Sequence, residues 1–240
     1  KVWSQDFAEM LGNFQHNPGR AGHVLRSLEA MTEYFRDAVA AQSSDAGRGL
    51  IHGLAAATVD GERLTEEEVV ANLIITMVGG QETTTNLIGN GLLTLLRWPD
   101  QLARLREDPS LFPAAVEELL RFESPSQHTA RLAPADGELG GKPIKERDAV
   151  IAVMAAANRD PSRFPDPDRL DLSRPDNRHV AFAWSSHFCF GAPLARLEGQ
   201  IVLRTLLSRL PELRLGTGSV EWRPNLGLRG LVALPVEFAS

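Results

Sequence analysis

The sequence predicts a mainly α-helical fold with small β sheets. Three observations predict it. Apolar residues recur at helical spacing between 22 and 41. A long stretch between a capping box and a proline reads as one helix. The second half breaks into short alternating runs punctuated by glycine and proline, the pattern of hairpins.

Taken in order, Val24, Leu25, Leu28, Met31, Phe35 and Val39 form the first apolar stripe, and Gly47 and Gly49 break it. Asp60-Gly61 signals a turn. Thr65 and Glu68 form a capping box, with Glu66 and Glu67 favourably placed at the positive end of the helix dipole. The helix they open runs from about 66 to 97, ends before Pro99, and is on the order of 45 Å long. Asp100 to Glu107 is a second helix. Pro113, suited to a first turn, opens a third over Ala114 to Phe122, which stops before Pro125. Gly137, Gly140-Gly141 and Pro143 break 127–148 into hairpins. Ala149 to Ala157 reads as a strand leading into a short helix. Arg159 to Arg178, rich in Pro, Asp and Arg, is ordered loop. Ala192 to Arg209 is helical, with Leu194, Leu197, Ile201, Leu203, Leu206 and Leu207. Val220 to Phe238 is a small β unit. The expected organisation is a single domain over 1–240, helical over 1–126 and mixed over 127–240.

Composition narrows the classes. The 240 residues are 43% hydrophobic and 23% charged, an ordinary globular mix that disfavours disorder, collagen and coiled coil. The net charge of −6 argues against a nucleic-acid partner. The most apolar window, Val69 to Gly80, contains Asn72 and falls short of the roughly 20 residues a membrane span needs, so no membrane partner is expected. No signal peptide is visible at Lys1-Val2-Trp3, and the absent methionine is expected to mean that the start lies upstream or was removed. One cysteine rules out an internal disulfide and a cysteine zinc cluster, and fits a reducing, cytoplasmic location.

Three groups of residues carry chemistry. Gly79-Gly80-Gln81-Glu82-Thr83-Thr84-Thr85 sits mid-helix, where each glycine costs roughly 1 kcal/mol against alanine. Close helix packing is one reading. The other is a groove over a flat ligand, or a locally opened helix, with Glu82 and Thr83 presenting an acid and an alcohol. Glu118 and Arg121, at i and i+3, share a helix face; alone such a pair is usually a solvated salt bridge. Cys189 follows Phe182 and His187 and precedes Gly191 and Pro193, at the start of a helix whose amides favour a thiolate. An isolated cysteine is most often inert and buried. A nucleophile, a redox sensor or a metal ligand are the alternatives. His187, two residues away in a tight loop, is badly placed as a base, whereas an axial ligand to haem iron needs only one thiolate and an approachable backbone.

In these residues the chain resembles the C-terminal half of a bacterial cytochrome P450. Gly79 to Thr84 match the family's Ala/Gly-Gly-x-Asp/Glu-Thr-Thr, Glu118 and Arg121 its Glu-x-x-Arg, and Phe182, His187, Cys189 and Gly191 its cysteine loop. Arg131 with Asp136, Ala157 to Pro161, Phe164 to Asp171 and Ala192 to Arg196 also match, so the resemblance runs from at least Gly22 to Phe238. It implies the C-terminal part of the P450 fold and a haem-thiolate monooxygenase binding haem b (iron protoporphyrin IX). Electrons would come from NAD(P)H through a separate ferredoxin-type donor, and O₂ would oxidise a small to medium, largely apolar molecule of secondary metabolism. Cys189 would be the axial ligand, donating electron density that favours O–O cleavage. Phe182 and Gly191 would shape the haem loop, His187 and Arg131 would bind propionates, and Gly80 would let the helix backbone approach haem. Glu82 and Thr83 would relay protons across an opened helix. Glu118, Arg121 and Arg169 would form a buried charge triad, and Arg196 would lie on the face that receives the electron donor. Substrate walls would come from Val78 and Gly79, from Ser126 to Ala130 and from Asn225 to Leu228.

The chain departs from the family in four places. Ser185 replaces a haem-loop glycine, tolerable unless that position needs positive φ. Ile144 to Asp148 replaces an Ile-Pro-x-Gly turn. Phe190 is bulkier than the usual leucine. The family's preceding part has no counterpart here, which implies an apolar surface that a second chain would cover. The alternative reading is a truncated P450-like helper that binds a partner and does not catalyse; a haem sensor is a third. Retained Cys189, Glu82 and Thr83 favour the enzyme.

Overall fold

The computed structural model describes residues 2–12, 18–42 and 49–239. They belong to two compact units, Lys1–Glu82 and Thr83–Ser240. The expected change of character at 126/127 falls inside the second, and the expected break at Gly47 lies outside the described residues.

In the first unit, α1 (Val2–Gly12), α2 (Pro18–Gln42) and α3 (Leu50–Ala56) precede a two-residue hairpin of β1 (Thr58–Val59) and β2 (Glu62–Arg63), turned at Asp60 and Gly61, both at positive φ. Most of the stripe read from sequence faces the core, Leu25 being exposed: Met31 and Phe35 of α2 pack with Val69, Val70, Leu73, Ile74 and Val78, and Trp3 and Phe7 cover them. The latter valines, leucine and isoleucine lie on α4, Glu66–Arg97, which contributes to both units. The capping box is formed at its start. Thr65 Oγ1 accepts the Glu68 amide at 3.2 Å, and a Glu68 carboxylate oxygen accepts the Thr65 amide at 2.8 Å.

The second unit packs the rest of α4 with α5 (Pro99–Glu107), α6 (Phe112–Phe122) and α8 (Ala192–Arg209) around Leu87, Leu95, Leu105, Val116, Leu119 and Leu203. Small residues set the spacing. A Cβ on Gly199 would lie 3.2 Å from Leu87 Cδ2 and 3.4 Å from Val116 Cγ1, and one on Gly91 would lie 3.2 Å from Leu119 Cδ1. The loop 158–191 joins the core through Phe164, Leu170 and Leu172, all buried.

The strands pair antiparallel and two by two. β3 (Thr129–Leu132) pairs with β6 (Ala149–Ala152), with Arg131 opposite Val150. β4 (Gly137–Leu139) and β5 (Lys142–Ile144) form the hairpin expected at Gly140-Gly141, whose positive φ values supply the turn. α7 (Met154–Ala157) follows β6. β7 (Arg214–Leu215), which the sequence pattern did not announce, pairs with β10 (Val236–Glu237), and β8 (Glu221–Trp222) pairs with β9 (Leu231–Ala233). The replaced turn at 144–148 is rebuilt with Arg147 at φ 69° and the Asp148 carboxylate accepting the Lys145 amide at 2.8 Å. Among the described residues no helix is long and apolar enough to cross a membrane.

Candidate functional site

α6 carries two acidic groups into the second unit, and each organises part of the loop that ends at Cys189. Glu118 and Arg121 are fully buried. Arg121 donates from Nε and Nη2 to the two Glu118 carboxylate oxygens, both at 2.8 Å, and from Nη1 to the carbonyls of Asn158 and Pro167, both at 2.9 Å. Glu118 also accepts the Asp171 amide at 3.0 Å and Asn177 Nδ2 at 3.1 Å. The third charge is Arg174, not Arg169. Arg174 Nε reaches Glu118 at 3.1 and 3.2 Å, whereas Arg169 gives the network only its carbonyl, and its side chain is exposed. The loop's path decides this: burial of Leu170 and Leu172 turns the intervening backbone so that Arg174 faces the carboxylate. Such a network costs more to break than it gains over an apolar core.

Asn158, also buried, ties this network to the cysteine loop. It donates to Ser124 Oγ at 2.9 Å and accepts the Val180 amide at 2.8 Å. The loop then closes on itself. The Cys189 amide donates to the Phe182 carbonyl at 3.0 Å, and the Ala192 amide to the Cys189 carbonyl at 3.2 Å, where α8 begins. Phe182 lies 6.3 Å edge-on from Phe188. Ala183 and Ser185 sit at φ 60° and 62°. The family's glycine position therefore does require positive φ, at a cost of about 1 kcal/mol or more for serine. Gly191 has an ordinary helical φ of −79°, and a Cβ there would meet Cys189 Sγ at an ordinary contact distance of 3.7 Å, so the position has room for a small side chain.

Cys189 is half-buried and flanked by exposed Trp184 (73%), Phe188 and Phe190 (72%). Leu194, Leu197 and Ile201, which helped to mark the helix in the sequence, are exposed along α8. A helix apolar on two faces is built to be covered on both. Among the described residues no group of three or more His, Cys, Asp or Glu could hold a metal ion. The donor set is thus one thiolate in apolar surroundings, which fits a metal that brings its remaining ligands in a flat macrocycle.

The other expected site residues are placed as follows. His187 ends a single tight turn, Ser185–His187, and is exposed. Arg131, exposed on β3, donates to Thr129 Oγ1 at 2.8 Å and to the Ala130 carbonyl at 2.7 Å. α4 runs as a continuous α-helix through Gly79 and Gly80, so the locally opened helix is not seen. A Cβ on either glycine meets no described atom within 4 Å and both are exposed, so packing between helices does not explain them. Glu82 is buried and Thr83 half-buried.

Arg196 does not present a free cation to a docking face. Its guanidinium donates to both Glu117 carboxylate oxygens, at 2.7 and 2.8 Å, and lies 4.7 Å over the Phe182 ring. Burial pushes the Glu117 carboxyl up, but hydrogen bonds from His179 and Arg196, with the Arg196 charge, outweigh it and hold it down at about 2. Sequence reasoning missed Glu117, His179, Arg174 and Asn158. The Glu-Glu pair at 117–118 was the one local signal, and it does not say that the two carboxylates serve different partners.

Comparison with known proteins identifies the family. The profile of the family described as "Cytochrome P450" matches residues 23–212. Cytochrome P450 107B1 of Saccharopolyspora erythraea is 47% identical over 210 residues, which are 86% of this chain and 52% of the relative. The biotin biosynthesis cytochrome P450 of Bacillus subtilis is 42% identical over 238 residues, 99% of this chain and 60% of the relative. The crystal structure of P450BioI in complex with an acyl carrier protein ligated to hexadec-9Z-enoic acid superposes with a TM-score of 0.91 at 39% identity, covering 99% of this chain and 60% of that one. The chain spans between half and two thirds of these relatives' lengths. With the family profile matching residues 23–212 and relatives about 40% identical over nearly the whole chain, the chain belongs to the cytochrome P450 family.

Proposed function

We propose that this chain carries the thiolate and proton-handling residues of a haem-thiolate monooxygenase. The observation that carries the reading is Cys189: half-buried at the start of α8, its loop fixed through Phe182 and Asn158, with exposed aromatics beside it. Haem b, when bound, supplies the activation of O₂ and the two-electron chemistry that puts one oxygen atom into a substrate. Cys189 would hold the iron through its thiolate and donate electron density to it. Phe182 and Phe188, packed edge-on, line the cysteine side with apolar surface. His187 and Arg131 serve as cationic partners for propionate groups. The absence of a side chain at Gly80 lets a flat ligand approach α4. The buried Glu82 carboxyl and the Thr83 hydroxyl, adjacent on α4, hold and pass the protons that oxygen reduction consumes.

Electrons come from NAD(P)H through a ferredoxin-type donor. Ser126 to Ala130 and Asn225 to Leu228 supply substrate walls: Ser126 bridges to Leu228, and the Gln127 amide donates to the Gly227 carbonyl at 2.8 Å. Apart from His128 these segments carry no ionisable side chain, which suits a largely neutral molecule of secondary metabolism. An acyl chain on a carrier protein, the ligand of one structural relative, belongs in the substrate panel. A helper role is favoured by the exposed Phe190, Leu194, Leu197 and Ile201 alone.

The test is the Soret band of the reduced protein under carbon monoxide. A thiolate-type band that Cys189→Ala abolishes is the expected result. Thr83→Ala should keep the band and uncouple O₂ use from product. No haem bound in excess hemin would refute the reading and favour the helper.

A further inference from the structure

The Glu117–Arg196 pair lies beside the thiolate loop yet belongs to none of the roles above. Glu117 accepts both Arg196 hydrogen bonds and a third from His179 Nε2 at 3.2 Å. His179 Nδ1 accepts the Ala181 amide at 3.2 Å, which places the ring proton on Nε2. Glu117 thus takes one hydrogen bond from the loop and two from α8, and its carboxylate pairs directly with the Arg196 guanidinium. Arg196 stands just over one turn into α8, close behind Cys189 in sequence. It stacks on Phe182, whose carbonyl receives the Cys189 amide. Glu117 keeps the Arg196 guanidinium charged and in place against the ring of the residue that fixes the Cys189 backbone.

We propose that Glu117 is a positioning residue for the thiolate: by fixing Arg196 over Phe182 and cancelling most of its charge, it sets the electrostatic potential at the Cys189 sulfur. The inference rests on reading Cys189 as a functional thiolate. Its consequence for that function is direct. An uncompensated cation beside the sulfur withdraws electron density from it and weakens what the sulfur donates to iron. His179 keeps the carboxylate in place from the loop side, so α6, the loop and α8 are pinned at the same group.

Because Cys189 is the only cysteine, every thiol reaction of the chain reports on it. The experiment compares two disulfide reagents on the haem-free chain at one pH: dianionic dithiobis(nitrobenzoate) and neutral dithiodipyridine. The ratio of their rates cancels exposure and thiolate fraction and leaves the local potential. Glu117→Gln should raise the ratio about fourfold at ~0.01 M salt, and Arg196→Gln should lower it by a similar factor. The double variant should return it near the wild-type value, and all shifts should shrink at ~1 M salt. A merely structural role would speed both reagents together and move both single variants the same way; that result, or unchanged ratios, overturns the proposal. Should Glu117→Gln fail to fold, a ratio that Arg196→Gln does not lower overturns it equally. A chain that binds no haem would refute the monooxygenase reading and leave this ratio fully readable, so the two failures are distinguishable.

Discussion

Replacing Arg174 by alanine, with Arg169→Ala beside it, tests which arginine completes the buried network. The Arg174 side chain is 7% exposed. Its removal deletes the bonds to Glu118 at 3.1 and 3.2 Å and those to the carbonyls of Pro165, Asp166 and Arg169 at 2.6, 3.2 and 2.8 Å. Breaking a buried ion pair costs about 3–5 kcal/mol when it strands a charge. Here Glu118 keeps Arg121, Asn177 and the Asp171 amide, so the loss falls to about 2–3 kcal/mol. Arg169→Ala removes an exposed side chain with no bond to Glu118 and should cost less than about 0.5 kcal/mol. Urea unfolding followed by tryptophan fluorescence reads the difference. With a slope near 2 kcal/mol per molar, Arg174→Ala lowers the midpoint by about 1 M and Arg169→Ala leaves it nearly unmoved. Equal shifts for the two variants would refute the assignment, as would a loss with Arg174→Ala below about 0.2 M.

The remaining expectations concern strain, close approach and pH. Ser185→Gly should stabilise the chain by about 0.5–1 kcal/mol in the same urea assay, since it relieves a φ of 62° against the entropy glycine adds to the unfolded state; a destabilised variant would mean the position is unstrained. Gly230→Ala would place a Cβ 2.0 Å from Oδ1 of buried Asn86, so a loss above about 2 kcal/mol is expected, part of it recovered when Asn86→Ala is added. A cost below about 0.5 kcal/mol would argue against that contact. The Glu117 carboxyl is held at about 2, below its ordinary value of 4.5, so its contribution is complete above about pH 4.5 and disappears as pH falls toward 2. Discounted for partial exposure it amounts to about 2 kcal/mol at neutral pH. The stability gap between wild type and Glu117→Gln should therefore close between pH 5 and 2, and a pH-independent gap would contradict it.

The sequence by itself determined the elements whose ends are set by local chemistry. The Thr65–Glu68 box and Pro99 bound α4 at 66 and 97, Gly140-Gly141 turns the β4–β5 hairpin, and α8 opens with Pro193 in its first turn and covers the predicted range. Glu118, Arg121 and Cys189 were legible because spacing on one helix, or a lone thiol before another, is itself a local pattern. Only the tertiary structure decided the rest. Five arginines crowd the segment from Arg159 to Arg178, and which of them reaches Glu118 depends on a backbone path set by buried leucines far from any motif. Likewise Glu117, His179 and Arg196 come from α6, the loop and α8, and no periodicity within one segment shows that they converge. Arg196 was readable as a cation. That its charge is paired with the Glu117 carboxylate of α6 follows from long-range packing, which alone brings charges distant in sequence within hydrogen-bond reach.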